Sequence, residues 1–283
     1  MIDFNLQGKV AIVTGASQGI GEAIAVAFAQ AGARVVVSSR KLESVAKVAQ
    51  EIERNGNAAL AVQAHMGSLD QVKSLVVQTL EKWGRVDIAV NNAGANPHFG
   101  PVLTADEAQI EKILDVNLKG YFRLAQQVTP HMQKQGGGKI INIASVAGMR
   151  PPHKMGVYGI SKAGDIMLTQ VLARELGQYN IQVNAIAPGI VQTKFSRALW
   201  EDAELMARYE ANVPLRRVGK PGDVAGAALY LASSAADWVT GTVLVWTGEP
   251  RWFQWYSEKE ETCLPHKLVR TPCTTTSSAR VIR

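Results

Sequence analysis

The fold is decided by Lys9-Val10-Ala11-Ile12-Val13-Thr14-Gly15-Ala16-Ser17-Gln18-Gly19-Ile20-Gly21, near the start of the chain. The first five residues of this stretch are almost all apolar, as in a strand that a parallel sheet buries on both faces. A glycine-rich turn follows, and an alanine-rich helical pattern then runs from Glu22 to Ala31. A strand, a glycine turn and a helix in this order predict a dinucleotide-binding unit rather than a turn of purely structural purpose.

Each glycine of the turn has its own physical reason. Gly15 permits the tight turn, Gly19 lets backbone N–H groups approach a pyrophosphate, and Gly21 lets the helix and the strand pack closely. The phosphates are expected at the helix N-terminus, because unpaired N–H groups and the helix dipole favour anions there.

Strand and helix patterns alternate through the rest of the chain. Further strands are predicted at 34–38, 59–63, 86–90, 139–143, 181–186 and 242–246. The alternation predicts an α/β fold, a doubly wound seven-stranded parallel sheet with helices on both faces, whose ligands bind at the carboxyl ends of the strands. We interpret residues 1–249 as one domain. Because Pro130 lies inside the long helical segment from Asp106 to Gln135, a kink or break is expected near Thr129.

The composition excludes several classes of protein. Of the 283 residues 47% are hydrophobic and 19% charged, and the chain has no run of about 18 apolar residues, so no membrane partner is expected. The net charge is +6, without a basic cluster interleaved with aromatics in the body, so no nucleic acid partner is expected either. Both cysteines, Cys263 and Cys273, lie after residue 249, and no metal site is predicted. The N-terminus lacks signal-peptide features, so a cytoplasmic location is expected.

The end of the second strand bears on the choice of cofactor. An acidic residue at this position would accept hydrogen bonds from the adenosine ribose of NAD, but here Ser38 or Ser39 is followed by Arg40. A guanidinium pairs with a 2′-phosphate, which a carboxylate would repel. NADP(H) is therefore preferred and NAD(H) is possible, unless Arg40 merely begins a solvated helix.

Tyr158 and Lys162 form a candidate proton-transfer pair. Residues four apart share one face of a helix, and a cation beside a phenol stabilises the phenolate, which lowers a tyrosine pKa from its ordinary value of about 10. Ser145, at the end of the fifth strand, would complete a site that exchanges a proton with a substrate oxygen. The spacing alone is also typical of a solvated helix face, so the rest of the chain must support this interpretation.

Taken together, these motifs make the chain resemble the short-chain dehydrogenase/reductase family, in its short single-domain branch. The resemblance covers residues 6 to about 248 and rests on Thr14-Gly-x-x-x-Gly19-x-Gly21, Asn91-Asn-Ala-Gly94, Asn117, Ser145, Tyr158-x-x-x-Lys162, Pro188-Gly189 and Thr193. It implies that Tyr158 is the general acid or base and that Ser145 orients the substrate carbonyl. It further implies that Lys162 binds the nicotinamide ribose and that Asn117 holds a relay water.

The resemblance also implies the cofactor contacts. Together with the end of the second strand, they comprise Gly15, Ser17, Gly19, Ile20, Gly21, Ser39, Arg40, His65, Met66, Asn91, Ala93, Gly94, Tyr158, Lys162, Pro188, Gly189, Ile190 and Thr193. Two positions depart from the family pattern. His65, followed by Met66, replaces an aspartate that usually contacts adenine, and Gln18 replaces a basic residue found in some NADP-dependent members.

Several of the residues expected to surround the substrate are apolar or aromatic. They favour a hydrophobic or aromatic carbonyl or alcohol as the small-molecule substrate. The expected contacts are Ser145, Ala147, Tyr158, Phe195 and Trp200, and the sequence is most similar to the NADP-dependent carbonyl and retinal reductases of the family. A 3-oxoacyl-[acyl-carrier-protein] reductase, with Lys112, Lys119 and Arg123 as a docking patch, is one alternative. A catalytically silent nucleotide-binding or scaffold protein is another.

The resemblance also implies a homo-oligomer, a dimer or tetramer that pairs through the helices carrying Asn117 and Tyr158. The resemblance ends after Gly248, because the chain lacks the usual Asp-Gly-Gly ending there. Residues 250–283 are predicted to be an atypical, largely disordered tail, rich in Thr and Ser from Thr271 to Ser278.

Overall fold

The computed structural model describes residues 4–201 and 203–248, and within them seven strands form one sheet. The strands are β1 Val10–Thr14, β2 Arg34–Ser39, β3 Ala59–Gln63, β4 Ile88–Asn91, β5 Gly138–Ile143, β6 Ile181–Pro188 and β7 Val243–Trp246. Their order is β3-β2-β1-β4-β5-β6-β7, with every neighbouring pair parallel. The predicted doubly wound sheet is confirmed, and its strand order reverses between β1 and β4, where such folds bind ligands.

Helices cover both faces of this sheet. They are α1 Gly19–Gln30, α2 Leu42–Arg54, α3 Leu69–Trp83, α4 Glu107–Leu114, α5 Gly120–Lys134, α6 Gly156–Leu176, α7 Arg197–Trp200, α8 Ala203–Asn212 and α9 Pro221–Ala232. Val13 of β1 packs in the apolar layer formed with α1, α2 and α9, whereas its neighbour Ile12 packs in the layer formed with α3, α5 and α6. Because both faces are buried, β1 has the continuous apolar sequence from which it was predicted.

The strand register aligns the carboxyl ends that carry the candidate site. Thr14 pairs with Ser38, Asn91 pairs with Asn142, and Pro188 pairs with Trp246. The segments that follow β1, β2, β4, β5 and β6 therefore meet at one edge of the sheet.

The expected break of the long helix near Thr129 is wrong. The division lies earlier, at a π-helical turn from Asp115 to Lys119, and α5 continues through Pro130. Pro130 and Gln126 are both exposed, so water can satisfy the Gln126 carbonyl that loses its helical N–H partner. The helix therefore tolerates the proline on its solvent face.

Two further findings concern the helices and the extent of the described residues. None of the helices in the described ranges is long and apolar enough to cross a membrane. The predicted tail, residues 250–283, lies outside the described residues, as does Glu249 at the predicted domain boundary.

Candidate active site

The ends of β1 and β4 are joined by Thr14 and Asn92. The Thr14 hydroxyl accepts hydrogen bonds from the backbone N–H groups of Asn92 and Ala93, at 3.0 and 3.2 Å. In return, the Asn92 amide donates to the carbonyls of Thr14 and Gly15, at 2.8 and 3.1 Å. These bonds fix the glycine turn at the point where the strand order reverses. Asn92 was not among the predicted site residues, and its position beside Asn91 in the motif was the available signal.

Gly19 and Thr193 face each other across the N-terminus of α1. Gly19 has a φ of +66°, and a β-carbon there would lie 3.1 Å from Cγ2 of Thr193. Among the described contacts, the Gln18 side chain makes no capping hydrogen bond to the helix. Of the first-turn N–H groups, that of Gly19 donates to the Glu22 carboxylate, whereas the helix dipole and the other N–H groups favour an anion there. A glycine-lined cradle that opens onto a helix N-terminus fits the pyrophosphate of a dinucleotide.

The end of β2, the strand beside β1, carries two serine hydroxyls and is followed by the cation Arg40. The Ser38 hydroxyl is buried and has no hydrogen-bond partner among the described residues. The Ser39 hydroxyl bonds locally with the backbone of Lys41. Arg40 is exposed, and within the described ranges its guanidinium forms no ion pair. This end of the site offers an unneutralised positive charge where the predicted adenosine ribose would lie.

The side chains of three predicted cofactor residues make contacts within the protein. The His65 ring accepts a hydrogen bond from the Gly67 N–H at 3.0 Å. The Met66 side chain is 3% exposed and packs in the apolar layer with α3 and α5. The Asn91 amide is fully buried and donates to Asn142 at 2.9 Å. The side chains of Met66 and Asn91 therefore lie in the protein interior, beneath the edge of the sheet that carries the site.

The loop after β6 brings the remaining predicted cofactor residues to the cleft. The Gly189 N–H donates to the Trp246 carbonyl at 3.2 Å, and the Ile190 carbonyl accepts from the Gly219 N–H at 2.9 Å. These bonds lead the chain from Pro188 over to Thr193. Ser17, Ala93 and Gly94 are half-buried or exposed in the turns after β1 and β4, and the half-buried Ile20 lies on the first turn of α1 at the same edge.

Tyr158 and Lys162 lie on the first turns of α6. Tyr158 is half-buried, and the Lys162 ammonium, whose side chain is 3% exposed, is 5.8 Å from the centroid of the Tyr158 ring. The Phe195 ring lies next to the Tyr158 ring, with a centroid separation of 5.8 Å and an interplanar angle of 44°. The predicted pair is thus brought together, and an apolar ring lies beside its phenol.

The Lys162 ammonium has three acceptors inside the protein. It donates to the Ile143 carbonyl at 2.8 Å, to Oδ2 of Asp165 at 2.9 Å and to the Tyr121 hydroxyl at 3.2 Å. Burial lowers the pKa of Lys162, but the nearby Asp165, Tyr121 and Tyr158 outweigh it, so the pKa lies above the ordinary lysine value. The lysine is therefore a fixed positive charge at neutral pH.

The serine predicted for the site begins a short 3₁₀ turn, Val146–Gly148, after β5. The Ser145 hydroxyl accepts a hydrogen bond from the Ala147 N–H at 3.1 Å. The Ala147 carbonyl lies 2.9 Å from the place that a β-carbon on Gly159 would take, one residue after Tyr158. The serine turn is thus packed against the first turn of α6.

Asn117 lies in the π-helical turn between α4 and α5 and is fully buried. Its amide accepts from the Ala95 N–H at 2.8 Å and donates to the Ala95 carbonyl at 3.1 Å and to the Ser161 hydroxyl at 3.0 Å. The side chain therefore joins the loop after β4 to α6. A π turn widens the helix and is frequent at functional sites.

A buried polar network beneath the site was missed by the sequence analysis. The Asn142 amide donates to the Thr169 hydroxyl at 2.8 Å, and that hydroxyl donates to the Asp165 carbonyl at 2.7 Å. Tyr121 is fully buried, its hydroxyl donates to the Ile143 carbonyl, and burial raises the pKa of this tyrosine. The available signal was the placement of polar residues, such as Asn142 and Asp165, within otherwise apolar strands and helix faces.

The glycine-lined cradle lies at the same edge of the sheet as a tyrosine, a lysine and a serine. This arrangement suits a nicotinamide-dependent oxidoreductase, and the known proteins to which the chain is similar are of that class. The family described as enoyl-(acyl carrier protein) reductase matches residues 15–248. Dehydrogenase/reductase SDR family member 4 from Oryctolagus cuniculus is 41% identical over 246 residues, 87% of this chain and 95% of that protein. Tropinone reductase-like 3 from Erythroxylum coca is 39% identical, over 88% of this chain and 96% of that protein.

Solved structures show the same relationship. A 7α-hydroxysteroid dehydrogenase complexed with NADH and 7-oxo glycochenodeoxycholic acid has a TM-score of 0.84 and 39% identity, over 87% of this chain and 95% of that one. A gluconate 5-dehydrogenase from Burkholderia cenocepacia J2315, in complex with NADP and tartrate, has a TM-score of 0.83 and 35% identity, over 87% and 96%. The chain belongs to the short-chain dehydrogenase/reductase family and is an NAD(P)-dependent oxidoreductase. The predicted family and enzyme class are confirmed.

Proposed function

We propose that this enzyme interconverts a hydrophobic or aromatic ketone or aldehyde and the corresponding alcohol, with Tyr158 as the group that exchanges the proton. The observation that carries the proposal is the position of the Lys162 ammonium, 5.8 Å from the Tyr158 ring in a buried setting. A fixed cation in a medium of low dielectric stabilises a phenolate strongly, so Tyr158 can both donate and accept a proton. The bound nicotinamide supplies or takes up the hydride.

Ser145 and Asn117 complete the proposed proton site. Ser145 presents its hydroxyl from the turn that packs against the start of α6, which suits it to orient a substrate carbonyl. The Asn117 side chain is occupied by Ala95 and Ser161, so we assign its relay-water role to the backbone of the π-helical turn.

The proposed substrate class rests on the aromatic residues near Tyr158. Phe195 contacts the Tyr158 ring, and the Trp200 indole donates to the Thr193 carbonyl at 2.7 Å, which ties α7 to the loop above the cofactor cradle. The relatives include a protein named for tropinone and a structure with a 7-oxo bile acid, both cyclic ketones, but also gluconate dehydrogenases. Apolar rings beside the reactive phenol favour the hydrophobic class.

NADP(H) is the proposed cofactor, with NAD(H) possible. The support is the exposed Arg40 without an ion-pair partner among the described residues, and the serines that precede it in place of an acid. A guanidinium free to form a bidentate contact suits the 2′-phosphate. Two of the solved relatives hold NADP and one holds NADH, and titration with both cofactors tests the preference.

The acyl-carrier-protein alternative has weaker support. Arg123, one of its three docking residues, donates to the Asp115 carboxylate at 2.8 Å and to the Met66 carbonyl at 3.2 Å. Lys119 lies 3.8 Å from the same carboxylate. Asp115 offsets one of the three positive charges of the proposed patch. The silent-scaffold alternative has no observation that favours it, since Tyr158, Lys162 and Ser145 are all placed at one edge.

A second copy of the chain is the proposed partner for an apolar face on α5 and α6. Phe122 is 50% exposed, Met167 59% and Val171 42%. Phe122 lines a cavity together with Leu118 and Leu168. An exposed apolar patch of this kind is typical of a protein interface. Analytical ultracentrifugation of the parent and of Phe122→Asp tests the assignment, and a parent that sediments as a monomer would overturn it.

Spectrophotometry of NADPH oxidation with a panel of ketones tests the central proposal. Aromatic and cyclic ketones are expected to be reduced, and Tyr158→Phe is expected to lose about 10²- to 10⁴-fold in rate, the usual contribution of general acid catalysis. Phenylalanine keeps the ring contact with Phe195, so the variant removes only the hydroxyl. Equal rates in the parent and the variant for every ketone would overturn the proposal.

A further inference from the structure

All three N–H donors of Lys162 are used inside the protein. A lysine ammonium has three donors and no acceptor. The Ile143 carbonyl, the Asp165 carboxylate and the Tyr121 hydroxyl take one each. A hydrogen bond from Lys162 to a cofactor ribose therefore requires the ammonium to leave or share one of these acceptors.

Asp165 is the one charged acceptor of the three. It lies one turn after Lys162 on α6, is fully buried, and its Oδ2 is 2.9 Å from the ammonium. Its other oxygen, Oδ1, is buried without a hydrogen-bond partner among the described residues. Among the groups around Asp165, the Lys162 ammonium is the one that stabilises the charge of the carboxylate. The carboxylate is also nearer to the ammonium than the Tyr158 ring, whose centroid is 5.8 Å away.

We propose that Asp165 is a positioning residue for Lys162, which it draws toward the helix interior in competition with the cofactor ribose and with Tyr158. Asp165 thereby restrains cofactor affinity and sets the pH range in which Tyr158 exchanges its proton. The inference rests on the proposed function, because that function assigns Lys162 to the ribose and to the phenolate. With a neutral residue at position 165, the whole charge of Lys162 acts on those two partners.

The other groups around the pair do not provide a competing charge. Tyr121 faces it from α5 and Tyr158 from α6, and burial raises the pKa of Tyr121, which keeps that phenol neutral. β5 contributes the Ile143 carbonyl and the Asn142 amide, which do not titrate. Burial raises the pKa of Asp165 to about 6, against the opposing attraction of Lys162, so the carboxylate is charged at neutral pH.

The test compares the parent with Asp165→Asn, an isosteric change that removes the charge. Fluorescence titration of each protein with NADPH and NADH is expected to show about five- to tenfold tighter binding in the variant, because the ammonium no longer leaves a buried anion unpaired. A second readout is the pH midpoint at which the Tyr158 ring carbon signal changes in NMR, with Tyr158→Phe for assignment. The midpoint is expected about one pH unit lower in Asp165→Asn, since a nearby charge shifts such an equilibrium by that amount.

Tyr121→Phe is the matched control, because it removes a neutral acceptor from the same ammonium. It should change cofactor affinity by less than about twofold and leave the Tyr158 midpoint in place, since no charge is altered. An equal change in both variants would overturn the proposal, because charge would not be the cause.

The remaining outcomes separate this proposal from the proposed function. Unchanged affinity and midpoint in Asp165→Asn, with normal cofactor binding in the parent, overturn this proposal alone. A parent that binds neither cofactor overturns the proposed function and this inference with it. Asp165→Leu carries the same expectation should the amide variant fail to fold by circular dichroism. If neither variant folds, Asp165 serves the fold alone and the proposal is wrong.

Discussion

Gly148 lies directly against the backbone of Lys162. A β-carbon at position 148 would be 2.5 Å from the carbonyl carbon of Lys162 and 2.6 Å from its carbonyl oxygen. The neighbouring atoms are backbone atoms of a helix, which cannot rotate away as a flexible side chain can. This contact sets the distance between the turn that carries Ser145 and the helix that carries Tyr158.

Gly148→Ala is therefore expected to separate the serine turn from α6. Overpacking of this kind costs about 1–3 kcal/mol of stability, and a displacement of about 1 Å at a reactive group can cost 10²-fold in rate. The measurements are thermal unfolding and kcat with the best ketone. Gly226→Ala is the control, since a β-carbon at that position on α9 meets no atom within 4 Å. It should be as active as the parent and slightly more stable. Full activity in Gly148→Ala would contradict the argument.

The sheet was predictable because each strand has a local cause. β1 is buried on both faces, so its apolar run is visible in the sequence, and the predicted strands match the observed ones to within about two residues. The glycine turn and the Tyr158–Lys162 spacing were likewise readable, because both depend on short-range geometry.

The rest depends on the surrounding fold, which short-range patterns do not reveal. Thr193 faces Gly19 only because the loop after β6 crosses the end of β1. The π turn at Asp115–Lys119 has no sequence pattern of its own. Pro130 suggested a helix break that does not occur, because the proline lies on the exposed face of α5. Asp165 is only three residues from Lys162, but the burial of both side chains, which distinguishes this pair from a solvated one, depends on the surrounding fold.

Arg40→Ala is expected to weaken NADPH binding and to leave NADH binding unchanged. Loss of a charge-assisted hydrogen bond to a phosphate costs about 1.5–3 kcal/mol, or about 10- to 100-fold in the dissociation constant. Arg34→Ala is the matched control, because Arg34 is also exposed but begins β2, whereas Arg40 follows the end of that strand. Titration of both variants with each cofactor makes the comparison. An equal loss for NADPH and NADH in Arg40→Ala would show that Arg40 does not read the 2′-phosphate.

Phe195→Ala is expected to raise KM for aromatic ketones about fivefold and to leave small aliphatic ketones unaffected. The Phe195 ring is 54% exposed and contacts Tyr158, so a bound aromatic substrate would cover apolar area that alanine does not offer. Phe4→Ala is the control, since Phe4 is 46% exposed but precedes β1, away from the carboxyl ends of the strands. Steady-state kinetics with paired aromatic and aliphatic ketones gives the answer. Equal effects on the two substrates would place Phe195 outside the substrate contact.

Asp165 also predicts how stability depends on pH. Its pKa in the folded protein is raised to about 6 by burial, whereas the ordinary value is about 3.9, so between these two the folded chain binds a proton that the unfolded chain does not. The stability that this group contributes is fully present below about pH 4 and is lost as the pH rises to about 6. Relative to Asp165→Asn, whose side chain does not titrate, the parent should lose up to about 3 kcal/mol across that window, at 1.36 kcal/mol per unit.

Urea unfolding of both proteins at several pH values between 4 and 7 measures this difference. Comparison with the variant cancels the titration of surface carboxylates, such as Asp223, whose pKa Arg217 lowers and which therefore changes stability in the opposite direction. The free energies of unfolding should diverge as the pH rises, with Asp165→Asn the more stable protein at pH 7. A constant difference across the range would mean that burial does not raise the pKa of Asp165 above its ordinary value.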